Sequence, residues 1–267
     1  MMKAPSLQQL KRLMELVEYV IFPDYSDVPS WTNGEEAIRA ILVEQLASID
    51  EIADARAVAD DFVAALPEIS RLLHTDVDAV MHNDPAVGSM QEVILCYPVV
   101  KVMIHYRAAH KLHSQGVPVI PRVITEMAHS ATGIDIHPAA QIGEYFSIDH
   151  GTGVVIGATS EIGNHVMLYQ GVTLGAKNFS YDEHGLPVDK PRHPILEDHV
   201  TVYSNTSILG RVRIGHNTVV GGNVWLTHDV PPHSRVLQSQ AVQEPYFQDG
   251  EGILAAALRL FWQLRCG

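Results

Sequence analysis

Ile136-His137-Pro138-Ala139-Ala140-Gln141-Ile142-Gly143 opens the stretch that decides the fold, because the spacing of its two isoleucines repeats as far as Leu226. An aliphatic residue stands at every sixth position: Ile136, Ile142 and Ile148, then Ile156, Ile162, Leu168 and Leu174, then Leu196, Val202, Ile208, Ile214, Val220 and Leu226. Val, Ser or Thr precedes most of these by two places, as at Val154, Ser160, Val166 and Thr206, and Gly often follows, as at Gly143, Gly157 and Gly163. A period of six belongs to hexapeptide β-solenoids. Each hexad supplies a short strand whose alternate residues point inward. Three hexads close one triangular coil, and stacked coils share a continuous core. Thirteen phased positions at three per coil predict about four coils.

The phase breaks twice. From Ile148 to Ile156 the step is eight, so two extra residues bulge out around Asp149-His150-Gly151-Thr152-Gly153. From Leu174 to Leu196 it is twenty-two, which leaves a polar, turn-rich loop over 176–194 that should project from the coil. A rigid scaffold that interrupts itself usually does so to carry function. Both breaks hold histidine.

Bulk properties narrow the class. A net charge of -13 over 267 residues argues against general nucleic-acid binding, which needs a basic surface to neutralise phosphate. Cys96 and Cys266 are the only cysteines, so no disulfide framework is indicated and a reducing, cytoplasmic location is expected. The start of the chain reads neither as a signal peptide nor as a membrane span.

Residues 1–131 read as a helical domain. Leu7, Leu10, Leu13, Met14, Val17, Val20 and Ile21 follow the helical period. Thr32-Asn33-Gly34-Glu35 suits a capping box. A third helix is expected to stop at Pro67 and a fourth to carry Ile69 to Val80. Pro98 suits the first turn of a helix reaching about His113, and a last helix falls near residues 122–130. Residues 132–237 form the solenoid domain, and 238–267 a tail with a possible short helix over 252–264.

Fifteen histidines are many, and three clusters carry chemistry: Asp135-Ile136-His137, Asp149-His150 and Arg192-His193. His150 follows Asp135 by fifteen residues, close to one coil of about eighteen, so the two are expected near one edge on adjacent coils. A carboxylate beside an imidazole orients the ring for general-base work. An Asp that caps a turn and a His that fills a corner explain the same residues, and both readings stand at this point.

The strings Gly133-Ile134-Asp135-Ile136-His137-Pro138-Ala139-Ala140-Gln141-Ile142-Gly143, Ile148-Asp149-His150-Gly151-Thr152-Gly153, Gln170-Gly171-Val172-Thr173-Leu174-Gly175 and Arg192-His193-Pro194 together resemble the serine O-acetyltransferase family. Asn83-Asp84-Pro85-Ala86 is similar too, and the likeness spans roughly residues 80–237. The resemblance implies an α + β chain, a helical N-terminal domain followed by a left-handed parallel β-helix. It implies direct acetyl transfer from acetyl-CoA to the L-serine hydroxyl, with no tightly bound cofactor. By that likeness His150 is the base and Asp135 its partner. Asp84 and Asp149 hold the substrate ammonium, and Arg192 and His193 its carboxylate. Acetyl-CoA is expected in a groove between neighbouring solenoids, with the backbone of Gly175 and Ala176 against the thioester arm. Ser204 and Gly222 are expected at equivalent corners one and two coils on. A homotrimer, or a dimer of trimers, is implied. The resemblance implies O-acetylserine sulfhydrylase as a partner that binds relatives through a C-terminal Ile; this sequence ends Arg265-Cys266-Gly267, which puts that docking in doubt.

Two other classes fit parts of the pattern. One is a hexapeptide acyltransferase with a homoserine or sugar acceptor. The other is a γ-carbonic-anhydrase-like zinc enzyme using His150, His165 and His193. It would leave Asp149 and Arg192 unexplained, and no metal is expected.

Overall fold

Among the described residues, apolar stripes at helical spacing give six helices before the repeat begins. They are α1 (Leu7–Ile21), α2 (Gly34–Leu46), α3 (Ala55–Asn83), α4 (Met90–Cys96), α5 (Pro98–Ser114) and α6 (Ile120–Thr132). The structure is a computed structural model that describes residues 4–25, 33–178, 182–185, 188 and 190–239. The tail helix expected over 252–264 lies outside them.

Two helical expectations are corrected. Pro67 does not stop a helix: α3 runs unbroken through it. A proline inside a helix removes one backbone bond and costs about 3 kcal/mol. Here Phe62, Val63 and Leu66 before it and Ile69, Leu73 and Val77 after it share one buried stripe, and Pro67 itself faces solvent. Burying that continuous stripe, at roughly 1.5–3 kcal/mol per large side chain, outweighs the lost bond. The start of α2 is not a side-chain box either. Asn33 is its N-cap without a side-chain cap bond, and Thr32 lies outside the described residues.

From Asp135 the hexads fold as read. Among the described residues, fourteen short strands form three parallel sheets of five, four and five strands. Face A stacks Ile136, Ile156, Leu174, Ile208 and Leu226. Face B stacks Ile142, Ile162, Leu196 and Ile214. Face C stacks Ile148, Leu168, Val202, Val220 and Val236. The solenoid thus has about five turns rather than four. The extra turn escapes a strict count of six because its first step is four, from Leu226 to Val230, which bridges to Ile214.

The corners account for four of the fifteen histidines. Tyr145, His165, His199, Asn217 and His233 between faces B and C take left-handed backbone, as do His150, Asn205 and Asn223 between faces C and A. Asn and His are among the side chains most often found in that region. Tyr145, His165 and His199 stack in sequence, with ring centroids 4.4 and 4.7 Å apart.

The helices and the solenoid share one core, and residues up to Leu237 form one compact unit. Buried polar bonds fix the joint. Arg107 of α5 donates to both carboxylate oxygens of Asp76 of α3 at 2.7 and 2.8 Å, and to the Gly143 carbonyl at 2.8 Å. Asp76 also accepts from the Phe146 amide at 3.1 Å, and the Tyr106 hydroxyl donates to the Ala140 carbonyl at 2.6 Å. The first solenoid turn is thereby held against α3 and α5.

Candidate active site

Each break in the repeat places its histidine at a different corner. The two-residue bulge lies at the corner between faces C and A, and the long loop enters at the corner between faces A and B. Two groups of functional side chains result, on opposite edges of face A.

The first surrounds His150. Its backbone is left-handed (φ 57°) and its side chain is 72% exposed, with Nδ1 3.4 Å from Asp149 Oδ1. Asp84, the C-cap of α3, faces it electrostatically from the helical part. One Asp84 oxygen accepts from the Ala86 amide at 2.8 Å and the other from the Tyr97 hydroxyl at 2.6 Å. The Tyr97 bond, then the Ala86 amide, holds the Asp84 carboxyl below the usual range, and the same bond, with some burial, pushes the Tyr97 phenol up to about 12. Tyr169 senses both Asp149 and Asp84 and is raised by burial. An exposed imidazole flanked by two carboxylates can accept a proton while an ammonium is held beside it.

The second group centres on Thr159. Its hydroxyl oxygen accepts from the amides of Arg192 (2.9 Å) and His193 (3.1 Å) and lies 2.8 Å from His193 Nδ1. The Thr159 amide donates to that same nitrogen at 3.1 Å. Nδ1 therefore accepts, and Nε2 carries the proton. Burial first, then the cations Arg192 and Arg211 and nearby His137, push the His193 imidazole down to about 4. It is neutral at physiological pH, a fixed N–H donor 8% exposed. Gly157 makes room for it, because a Cβ there would stand 2.0 Å from the ring. Arg192 lines a cavity of about 300 Å³ with Lys177, Lys190 and Arg211, a local excess of positive charge in an acidic chain. A guanidinium and a neutral N–H donor together suit a carboxylate.

Asp135 is paired with an arginine rather than with His150. Its carboxylate pairs with Arg122 at 3.2 Å, and among the described residues no hydrogen bond or ion pair joins it to His150. The register puts Val155 beside Asp135, while His150's corner packs on Gly133 and Ile134, with Gly153 donating to the Gly133 carbonyl at 2.8 Å. The four residues of the two breaks do not converge within one chain. Nor do Ser204 and Gly222 share a corner with Gly175 and Ala176, as the count of coils suggested. Leu209 is the neighbour of Gly175, whereas Ser204 and Gly222 stack on each other at the corner of His150. The inserted loop shifts the count by a face. His165 lies at the third corner, so the three histidines of the zinc reading are dispersed within the chain.

Tyr97, Tyr169 and Thr159 escape the sequence reading. Each is an ordinary residue in an ordinary position, and only the fold brings it to the site.

Helices packed on a parallel hexapeptide solenoid, with acid–base groups at the two interrupted corners, define the class of hexapeptide-repeat acyltransferases. The chain is 49% identical over 193 residues to the plasmid serine acetyltransferase of Synechococcus elongatus, a match that covers 72% of this chain and 60% of that protein. The serine acetyltransferase of Bacillus licheniformis is 42% identical over 167 residues, covering 62% and 74% respectively. Among solved structures, serine acetyltransferase isoform 3 of Entamoeba histolytica in complex with cysteine superposes with a TM-score of 0.75 at 32% identity, covering 96% of this chain and 88% of that one. No protein-family model matches the sequence. The chain belongs to the serine acetyltransferase family.

Proposed function

We propose that this protein transfers acetyl from acetyl-CoA to the hydroxyl of L-serine, giving O-acetylserine and CoA on the way to cysteine. The observation that carries the reading is the complementarity of the two corner groups to a zwitterionic amino acid. Asp84 and Asp149 offer negative charge to an ammonium, and Arg192 with neutral His193 offers donors to a carboxylate. His150 is the base: it takes the serine hydroxyl proton as the oxygen attacks the thioester carbonyl, and CoA leaves as the thiol. No acyl-enzyme is needed. Asp135 is its partner by family likeness, once free of Arg122.

Because the two groups stand on opposite edges of face A, the complete site forms where one solenoid's corner meets the other corner of its neighbour. A closed ring of three chains repeats that contact three times. Acetyl-CoA fits the same groove, with Gly175 and Ala176 from one edge and Ser204 and Gly222 from the other. The Entamoeba relative was solved with cysteine, and cysteine, which differs from serine by sulfur for oxygen, is expected to compete at the serine site here.

An acceptor panel tests this reading. With acetyl-CoA and free-thiol detection, L-serine should be the preferred acceptor over homoserine and sugars, and cysteine should inhibit. Preference for a sugar would overturn it.

A further inference from the structure

Beside the proposed site, α6 and the first strand build a second constellation. Glu126 and His129 lie one turn apart on the same side of α6. Gly133, left-handed at φ 74°, closes that helix and turns the chain so that Asp135 returns beside its last turn. One ligand atom from each of Glu126, His129 and Asp135 lies within 4.8 Å of the others, and all three residues are partly buried. His129 Nδ1 is 3.1 Å from Glu126 Oε2.

A cation already occupies this group: the Arg122 guanidinium pairs with both Glu126 and Asp135. It is not locked there. Arg122 also lines a cavity of about 760 Å³ between α1, α5 and α6, and on its other side one of about 300 Å³ beside His113 and His137. The side chain has room to swing out on either side.

We propose that Glu126, His129 and Asp135 form a site for a zinc-class divalent cation, which binds by displacing the Arg122 guanidinium. One imidazole and two carboxylates suit a borderline metal with water as fourth ligand. Tetrahedral ligands about 2.1 Å from zinc stand about 3.4 Å apart, a contraction that side-chain rotation supplies. Replacing one positive charge by two between two carboxylates favours the exchange. Metal binding removes Asp135 from the base, so zinc inhibits. That consequence rests on the function proposed above; the site itself does not.

The test is zinc titration of EDTA-treated full-length protein by calorimetry, with acetyl transfer to serine assayed in parallel. His129→Ala and Glu126→Gln should each weaken the tightest zinc equivalent by about 10–100-fold or more, and Arg122→Ala should tighten it. His129→Ala should keep its basal activity and resist zinc. Unchanged zinc affinity in both ligand variants would overturn the site, whatever the activity shows. Zinc binding that responds to the variants without inhibiting the wild type supports the site and counts instead against Asp135 as partner of the base.

Discussion

A buried imidazole bonded to Thr159 and an exposed one beside Asp149 divide the chemistry at the level of single residues. His150 is exposed beside two carboxylates, and its substitution by Ala should lower kcat by about 10²–10⁴-fold with acetyl-CoA binding intact. Steady-state kinetics with a separate binding assay checks this; near-normal turnover would remove His150 as the base. Arg192→Ala should chiefly raise the serine KM. His193 has the opposite character. Its pKa falls on folding from 6.5 to about 4, so below 6.5 the unfolded chain takes up a proton that the folded chain refuses. Stability should therefore fall as pH drops from about 6.5 towards 4. Replacement of His193 by Asn should flatten that part of a denaturation-midpoint-against-pH curve.

At the scale of elements, the buried ion pair of Arg107 with Asp76, whose side chains are 4% and 3% exposed, ties α5 to α3 and holds the first solenoid turn through the Gly143 carbonyl and the Phe146 amide. Removing one member of such a pair strands the other charge. Arg107→Ala should cost about 3–5 kcal/mol, measurable by urea denaturation. Elements were also where the sequence was most and least legible. The period of six is a local signal and yielded the strands and both interruptions. Pro67 misled because its penalty is local while the stripe from Phe62 to Val77 is a tertiary matter. The residues proposed for the site in the repeat's interruptions, such as His150 and Arg192, stand out in the sequence as departures from a pattern. Tyr97 and Thr159 do not, since their partners lie 13 and 33–34 residues away and no periodicity links them. The corner assignment of Ser204 failed because counting coils ignores which face an insertion interrupts.

For the whole molecule, the separation of the two corner groups makes assembly testable. Mixed oligomers of His150→Ala and Arg192→Ala chains, refolded together at equal amounts and assayed at serine far below the raised KM of the Arg192→Ala enzyme, should regain about a quarter of wild-type activity, since random neighbours place both intact corners together in one contact of four. Sites contained in single chains would regain none. Among the described residues no helix is long and apolar enough to cross a membrane. The joint at Asp76 and Arg107 also has a consequence for how the molecule comes apart. Solenoid turns touch only their neighbours, so opening proceeds from an end rather than through the middle. Among the described residues the helices clamp the first turn, while the turn of Val230 and Val236 has a solenoid neighbour on one side only, so fraying is expected to begin there. The acid–base groups sit in the first three turns, close to the clamp. The outermost rungs are expected to open first, turn by turn, while the proposed catalytic corners stay in register.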